Sequence, residues 1–295
     1  MIKDRARTEL LAAYILLLPL IISLAVFLLG PLLYAFYISF HEFSFMVPAD
    51  SKFVFFDNYH NLFKDETFLK AMKNTALYSL GVVPAQMLIA CLLAVCVNSN
   101  IGGKTFYRVA FFLPTVTSSV AVSFMFMWIY AKTGILNYLL SFIGLPAVDW
   151  LNTVSFALPA LMVLAVWTTV GNFMVIYLAG LQEIPRSVYE AADLDGLNPW
   201  QKLRHITWPL LKNTTYFVLI MSTIGTFQVF DTFYIITKGE GGPLDSTMTV
   251  VLYLFKSAFK NFDMGYASAM AFLLFLVIFT LSVLQKVLFG REEAS

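Results

Sequence analysis

Charge is what this 295-residue chain has least of: 13% of its residues are Asp, Glu, Lys or Arg, about half the share of a soluble domain. With 59% hydrophobic residues and a mean hydropathy of +0.77, it fits neither an ordinary cytosolic globule nor a long disordered tail. A net charge of +1 leaves no basic excess for nucleic acid. Cysteine is almost absent. Cys91 and Cys96 lie five residues apart in one apolar segment; on a helix that spacing turns them roughly 140° from each other, too far for a bridge. They read as buried small hydrophobes, and no disulfide framework or metal-ligand spacing exists. His41, His60 and His205 all fall outside the apolar runs, so nothing supports an intramembrane enzyme with a paired base or a metal. The chain also lacks the G-x-x-x-x-G-K-[ST] cradle that holds nucleotide phosphates. Phe and Tyr, by contrast, are plentiful at 29 and 14, as suits a lipid-facing surface. The composition is that of an integral membrane protein.

About 20 apolar residues are needed to cross the hydrocarbon as a helix. Six segments qualify, roughly 11–36, 76–97, 109–130, 156–181, 215–237 and 264–287. The first begins after a basic start, as a signal peptide would. Its charge-free run from Leu10 to Phe40 is too long for an h-region, however, so it reads as a retained span. Asp231 alone interrupts the fifth. Eleven Lys and Arg fall on the side holding both termini and the loops Asn98–Arg108 and Gln182–Asn213; eight fall on the other. The denser side is expected to be cytoplasmic, with both termini inside a prokaryotic plasma membrane. On the outer side, His41–Lys73 is rich in Phe and Tyr, with helical spacing over Asp65–Lys73. The stretch Thr247–Phe262 alternates like an interfacial helix. Both read either as lids resting on the bilayer or as a landing surface for an outside partner.

The longest inner loop, QEIPRSVYEAADLDGLNPWQKLRHITWPLLKN, predicts two short helices at an angle. Pro185 suits a first helical position. Ser187–Leu194 continues the helix, and Asp195-Gly196 ends it where glycine takes a left-handed backbone cheaply. Asn198 caps a second helix that starts at Pro199 and is expected to stop before Pro209. Any loop of this length can hold two capped helices. Small residues Ala191, Ala192 and Gly196 would let another surface come close.

Glu190-Ala191-Ala192, then Gly196, then Ile206 and Leu210 around Pro209, resemble the EAA loop of ABC importer permeases. The stretches FVFFDNYHNLF, FYRVAFFLPTV, GNFMVIYLAGLQEIP, FDTFYIITKGEGGPLDSTMTVVLYLFKSAF and MGYASAMAFLLFL occur in the order seen in carbohydrate permeases of the MalF/UgpA type. The resemblance covers Leu10 to Gln285. Gly239-Glu240 is an extra insertion before Gly241-Gly242-Pro243, and the extra N-terminal spans and large outer insertion of the family's biggest members do not occur in this sequence.

This resemblance implies an all-α integral membrane permease, one domain over residues 1–295, with six transmembrane helices and a cytoplasmic coupling loop at 182–213. Glu190, Ala191, Ala192, Asp195 and Gly196 would couple it to a separate ATPase, so this chain would carry no cofactor, ATP and Mg being held by that partner. The implied assembly has a homologous second permease, two ATP-binding subunits and an extracellular or periplasmic solute-binding protein, importing a carbohydrate across lipid, with no nucleic acid.

Polar groups inside apolar spans are expensive in lipid and usually face a cavity. By position, the resemblance places Thr115 and Ser119 of span three, Thr168, Thr169 and Asn172 of span four, and Ser222, Gly225, Thr226 and Val229 of span five along the sugar path. Gln228 and Asp231 join them on chemistry alone. Ser and Thr also bond their own backbone or join neighbouring helices, and Asp231 has a second reading as a loop cap or a partner of Lys238. A stand-alone secondary transporter would show inverted repeats and intramembrane acids for ion coupling; here only Asp231 lies near a span and no repeat is visible. Within the importer class, glycerol phosphate or a polyol is the alternative solute. A phosphorylated one calls for Arg or Lys in the path, and every cation here lies outside the charge-free cores.

Overall fold

The computed structural model describes residues 2–99 and 102–289, with side chains from residue 12 on. The expected inner-side cation Arg291, the tip of the 98–108 loop at 100–101, and the side chains of Lys3, Arg5 and Arg7 lie outside them. In chain order the helices are α1 (Ile2–Leu24), α2 (Gly30–Ile38), α3 (Asp57–Leu62), α4 (Glu66–Asn98), α5 (Lys104–Val116), α6 (Ser119–Ile129), α7 (Ile135–Phe142) and α8 (Val154–Glu183). They continue with α9 (Arg186–Leu194), α10 (Pro199–Lys202), α11 (Trp208–Leu210), α12 (Lys212–Phe227), α13 (Asp231–Thr237), α14 (Val250–Phe255) and α15 (Met264–Phe289). A short antiparallel ribbon pairs β1 (His41–Glu42) with β2 (Lys52–Phe53), setting His41 opposite Phe53.

Five stretches are long and apolar enough to cross a bilayer: Ala12–Ile38, Glu66–Asn98, Val154–Glu183, Lys212–Thr237 and Met264–Phe289. They answer five of the six expected spans. The remaining one, expected as a single helix over 109–130, is broken: α5 and α6 meet at 97° across Thr117-Ser118. Pro114, in the last turn of α5, has no N–H to continue the ladder. At the helix end the Thr117 amide bonds the Pro114 carbonyl, and the Thr117 hydroxyl donates to the Leu113 carbonyl at 2.9 Å, the kind of side-chain bond that lets a helix break within a membrane.

Two compact units divide the chain: residues up to Lys64 with Leu254–Leu273, and Asp65–Tyr253 with the residues from Leu274 on. In the first, α1 runs into α2 through a π-helical turn, Ala25–Leu29, just ahead of Pro31. Leu16 and Phe27 of this helix are about four-fifths exposed. Asn58 of α3 donates to the Ser39 and His41 carbonyls at 2.9 Å each. The start of α15 docks on the same segment, the Met264 and Gly265 amides both donating to the Phe43 carbonyl. Glycine is required at 265, where a Cβ would lie 2.0 Å from the His41 carbonyl oxygen.

The second unit is built on α4 and α8. Asp65 caps α4, its side chain accepting from the Thr67 and Phe68 amides, so this helix starts ten residues before the expected span. At 33 residues it is about 50 Å long. Ala90, Cys91, Ala94 and Val97 of α4 pack on Val170, Met174, Tyr177 and Leu181 of α8, with Leu211 and Val218 closing the cluster. Small residues on α4 allow that close approach. Cys91 is buried as expected, whereas Cys96 is exposed: it sits on the face turned away from this cluster. Between α6 and α8, Asn137 of α7 organises the connection. Its amide donates to the Ala131, Lys132 and Val148 carbonyls and accepts from the Val148 amide and the Trp150 indole.

Candidate functional site

Within the second unit, α4, α8 and α12 line a half-open cavity of about 210 Å³. Its polar lining comprises Tyr78, Gln86, Thr168, Thr169, Ser222, Thr226 and Thr232, set among aliphatic and aromatic side chains. No charged residue lines it. Two interhelical ties cross its wall. Thr169 Oγ1 donates to Gln86 Oε1 at 2.5 Å, while Gln86 Nε2 donates to Ser222 Oγ. Ser79 and Thr226 share a hydroxyl hydrogen bond at 2.8 Å.

Six of the expected path residues therefore meet in one place: Thr168, Thr169, Ser222, Gly225, Thr226 and Val229. Thr115 stands behind that wall, donating to the Thr168 carbonyl at 2.9 Å. The other four do not line the cavity. Ser119, Asn172, Gln228 and Asp231 are exposed on this chain. Gln228 caps α12 at the break before α13, and Asp231 opens α13. No ion pair links Asp231 to Lys238 among the described residues.

Sequence reasoning passed over Tyr78, Gln86 and Thr232, all lining residues. The signal for Gln86 was a single amide inside an otherwise apolar span, the group lipid tolerates least among those present there.

One rim of this unit is tightly built. Lys238, Gly239, Gly241, Gly242, Leu244 and Asp245 all have positive φ, so the GEGGPLD turn coils through left-handed backbone. Asn74 of α4 holds it by donating to the Asp245 and Met248 carbonyls at 2.8 and 3.0 Å. Tyr253 of α14 donates to Asp65 at 2.6 Å. Of the expected interfacial stretch Thr247–Phe262, the part from Val250 to Lys260 is helical, through α14 and a π-helical turn at Lys256–Lys260.

At the other end, α9 and α10 form the expected pair of short helices. Pro185 takes the N-cap of α9, one place earlier than expected. Gly196 closes α9 at φ +73. A Cβ there would meet nothing within 4 Å, so within this chain the glycine answers to backbone conformation. Asn198 and Gln201 cap α10 reciprocally. The chain does not stop before Pro209. A π-helical turn at Leu203–Thr207, closed by the Trp208 amide on the Leu203 carbonyl, carries it into α11. Shifting the ladder to five-residue bonds lets the helix pass a residue that has no N–H. Tyr189 and Thr207 bond across the pair at 3.0 Å, and Asp193 pairs with Lys202. Ala192 is buried in this bracket, whereas Glu190, Ala191 and Asp195 are exposed.

The comparisons agree with this architecture. The chain is 39% identical, over 92% of its length and 88% of the relative's, to the "probable ABC transporter permease protein YesP" of Bacillus subtilis (strain 168). It is 34% identical, over 94% of its length and 87% of the relative's, to the arabinooligosaccharides transport system permease protein AraP of Halalkalibacterium halodurans. In fold it matches a chain of a bacterial ABC transporter involved in import of the acidic polysaccharide alginate. That match has a TM-score of 0.85 at 23% identity and covers 99% of this chain and 98% of the other. Residues 86–292 match the family profile itself, and this chain belongs to the binding-protein-dependent transport system inner membrane component family.

Proposed function

We propose that this chain is one of two homologous permease subunits of an ATP-driven importer for a carbohydrate. The carrying observation is the cavity: hydroxyls, an amide and an aromatic ring gathered inside apolar helices, the groups that meet sugar hydroxyls and a sugar ring face. Relatives named for arabinooligosaccharide and lactose transport support that substrate class. The α9–α10 bracket is the coupling element. Its exposed Glu190, Ala191, Asp195 and Gly196 face an ATP-binding subunit that holds ATP and Mg, and Ala192 braces them from behind. On this reading the bracket and both termini are cytoplasmic, and the GEGGPLD turn faces the solute-binding protein.

Asn172, Gln228 and Asp231 fit the same assembly. Exposed on this chain, they would be costly against lipid; facing the second permease they extend the path across the subunit boundary. A tagged copy of this chain should copurify a second permease and an ATPase, and proteoliposomes holding that complex should accumulate labelled sugar only with ATP and the binding protein. Sugar carried down a gradient by the purified chain alone, without ATP, would defeat the assignment.

A further inference from the structure

Gln86 sits near the middle of α4 and is 2% exposed. Its side chain reaches both neighbouring helices, accepting from Thr169 of α8 and donating to Ser222 of α12. A primary amide carries two N–H donors, so one N–H of Gln86 has no protein acceptor among the described residues. Ser222, also 2% exposed, spends its oxygen accepting from Gln86, and its own O–H is likewise without an acceptor there. Both side chains line the cavity. Buried donors left unmade are costly, so the cavity is chemically incomplete until an acceptor enters it. Tyr78, about two turns away on the same face of α4, lines the cavity as well, its ring met edge-on by Phe233 at 5.1 Å.

Two further facts restrict what enters. The lining holds no charged residue, so a carboxylate would arrive with no cation to meet it, a strongly unfavourable burial. The cavity is half open, and its volume of about 210 Å³ lies below the ~300 Å³ at which pockets begin to take drug-sized ligands, so the share of a sugar held inside this chain is about one ring.

We propose that Gln86 is the specificity-determining residue of this cavity, holding Thr169 and Ser222 in register and offering N–H and O–H donors to the oxygens of one uncharged sugar ring at a time. This rests on the carbohydrate-import reading above and goes beyond it by naming the residue and the charge class.

The test uses the complete importer with its binding protein in proteoliposomes, with labelled arabinotriose, lactose, maltotriose and trigalacturonate as probes. Wild type should accumulate a neutral sugar and exclude trigalacturonate. In Gln86→Met, which keeps the side-chain volume, uptake should fall about tenfold while binding-protein-stimulated ATP hydrolysis stays within about twofold. The isosteric Thr169→Val should show the same split, at about threefold. A purely structural role would not separate the two readouts. Unchanged uptake in both variants, or parallel loss of uptake and hydrolysis in Thr169→Val, would overturn the role of Gln86. Import of trigalacturonate would overturn the uncharged class while leaving the importer intact. Accumulation of none of the probes would remove the carbohydrate reading itself.

Discussion

At Gly171 α8 packs directly on the backbone of α5, and replacing this glycine by alanine should disturb both stability and site. A Cβ at 171 would lie 2.0 Å from the Phe111 carbonyl oxygen and 2.9 Å from the Phe112 Cα. These are backbone atoms, so no rotamer change relieves the clash; α5 has to retreat by about 1 Å to restore ordinary contact. Thr115 lies one turn further along α5, and its 2.9 Å bond to the Thr168 carbonyl is then stretched to the edge of hydrogen-bonding range. Overpacking costs about 1–3 kcal/mol and the weakened bond about 1 more. For a chain of this size that amounts to a fall of about 5–10 °C in the apparent Tm, readable by size-exclusion chromatography of the detergent-solubilised complex after heating. Gly225→Ala supplies the control. A Cβ there meets nothing within 4 Å, so this variant should keep or slightly raise the Tm. Equal Tm values for Gly171→Ala, Gly225→Ala and wild type would refute the close-crossing account.

Three further outcomes are expected. At Gly196, where φ is +73, Asn should preserve ATP-driven uptake. Val should reduce it at unchanged membrane abundance, since a β-branched residue adopts that conformation at a cost of roughly 1–2 kcal/mol; equal uptake by both would refute the cap role. Asn137→Leu strands the Val148 amide and the Trp150 indole and should lower stability by about 2–3 kcal/mol, and a Tm within about 1 °C of wild type would count against it. In a Cys91→Ala/Cys96→Ala background, Ser187→Cys should label less when the ATPase is bound. Ser246 is unsuited to report the outer side because it is buried. Leu244→Cys, at a position 77% exposed, should instead lose labelling only when the binding protein docks. Ser187→Cys labelling that ignores ATPase removal while transport persists would refute the coupling role of the loop.

Long apolar runs made most of the spans legible, because nothing but a membrane helix buries twenty such residues with so little charge. The capped pair at Arg186–Leu194 and Pro199–Lys202 was legible for a local reason: Gly196 and Asn198 fix their own backbone geometry whatever surrounds them. The misread elements each depended on a neighbour. Pro114 and Thr117 were visible, but whether a proline bends or breaks a helix depends on what receives the freed carbonyl. Pro209 looked like a stop because a π-helical turn leaves no periodic trace in five residues. Asp65–Lys73 showed helical spacing, yet its continuity with the second span rests on the Asp65 cap, and charge along the helix had placed the membrane boundary elsewhere.

The polar residues of the spans carry the sharpest lesson. Chemistry alone ranks Asn172 above Thr169 for the path, yet the two lie three positions apart on α8 and face different surroundings: Thr169 ties to Gln86 at the cavity, while Asn172 is exposed on the chain. An amide exposed within a membrane span calls for a polar counterpart. Gln228 and Asp231, at the break between α12 and α13, repeat the demand on another element. The outward set and the cavity set thus divide one function between two surfaces. In the proposed importer, Gln86, Ser222 and Thr169 would grip a ring within this subunit, and Asn172, Gln228 and Asp231 would meet a second subunit that completes the path. A path divided in this way closes only when both permeases are present, which is why the proposed importer needs two of them and why neither should carry sugar alone.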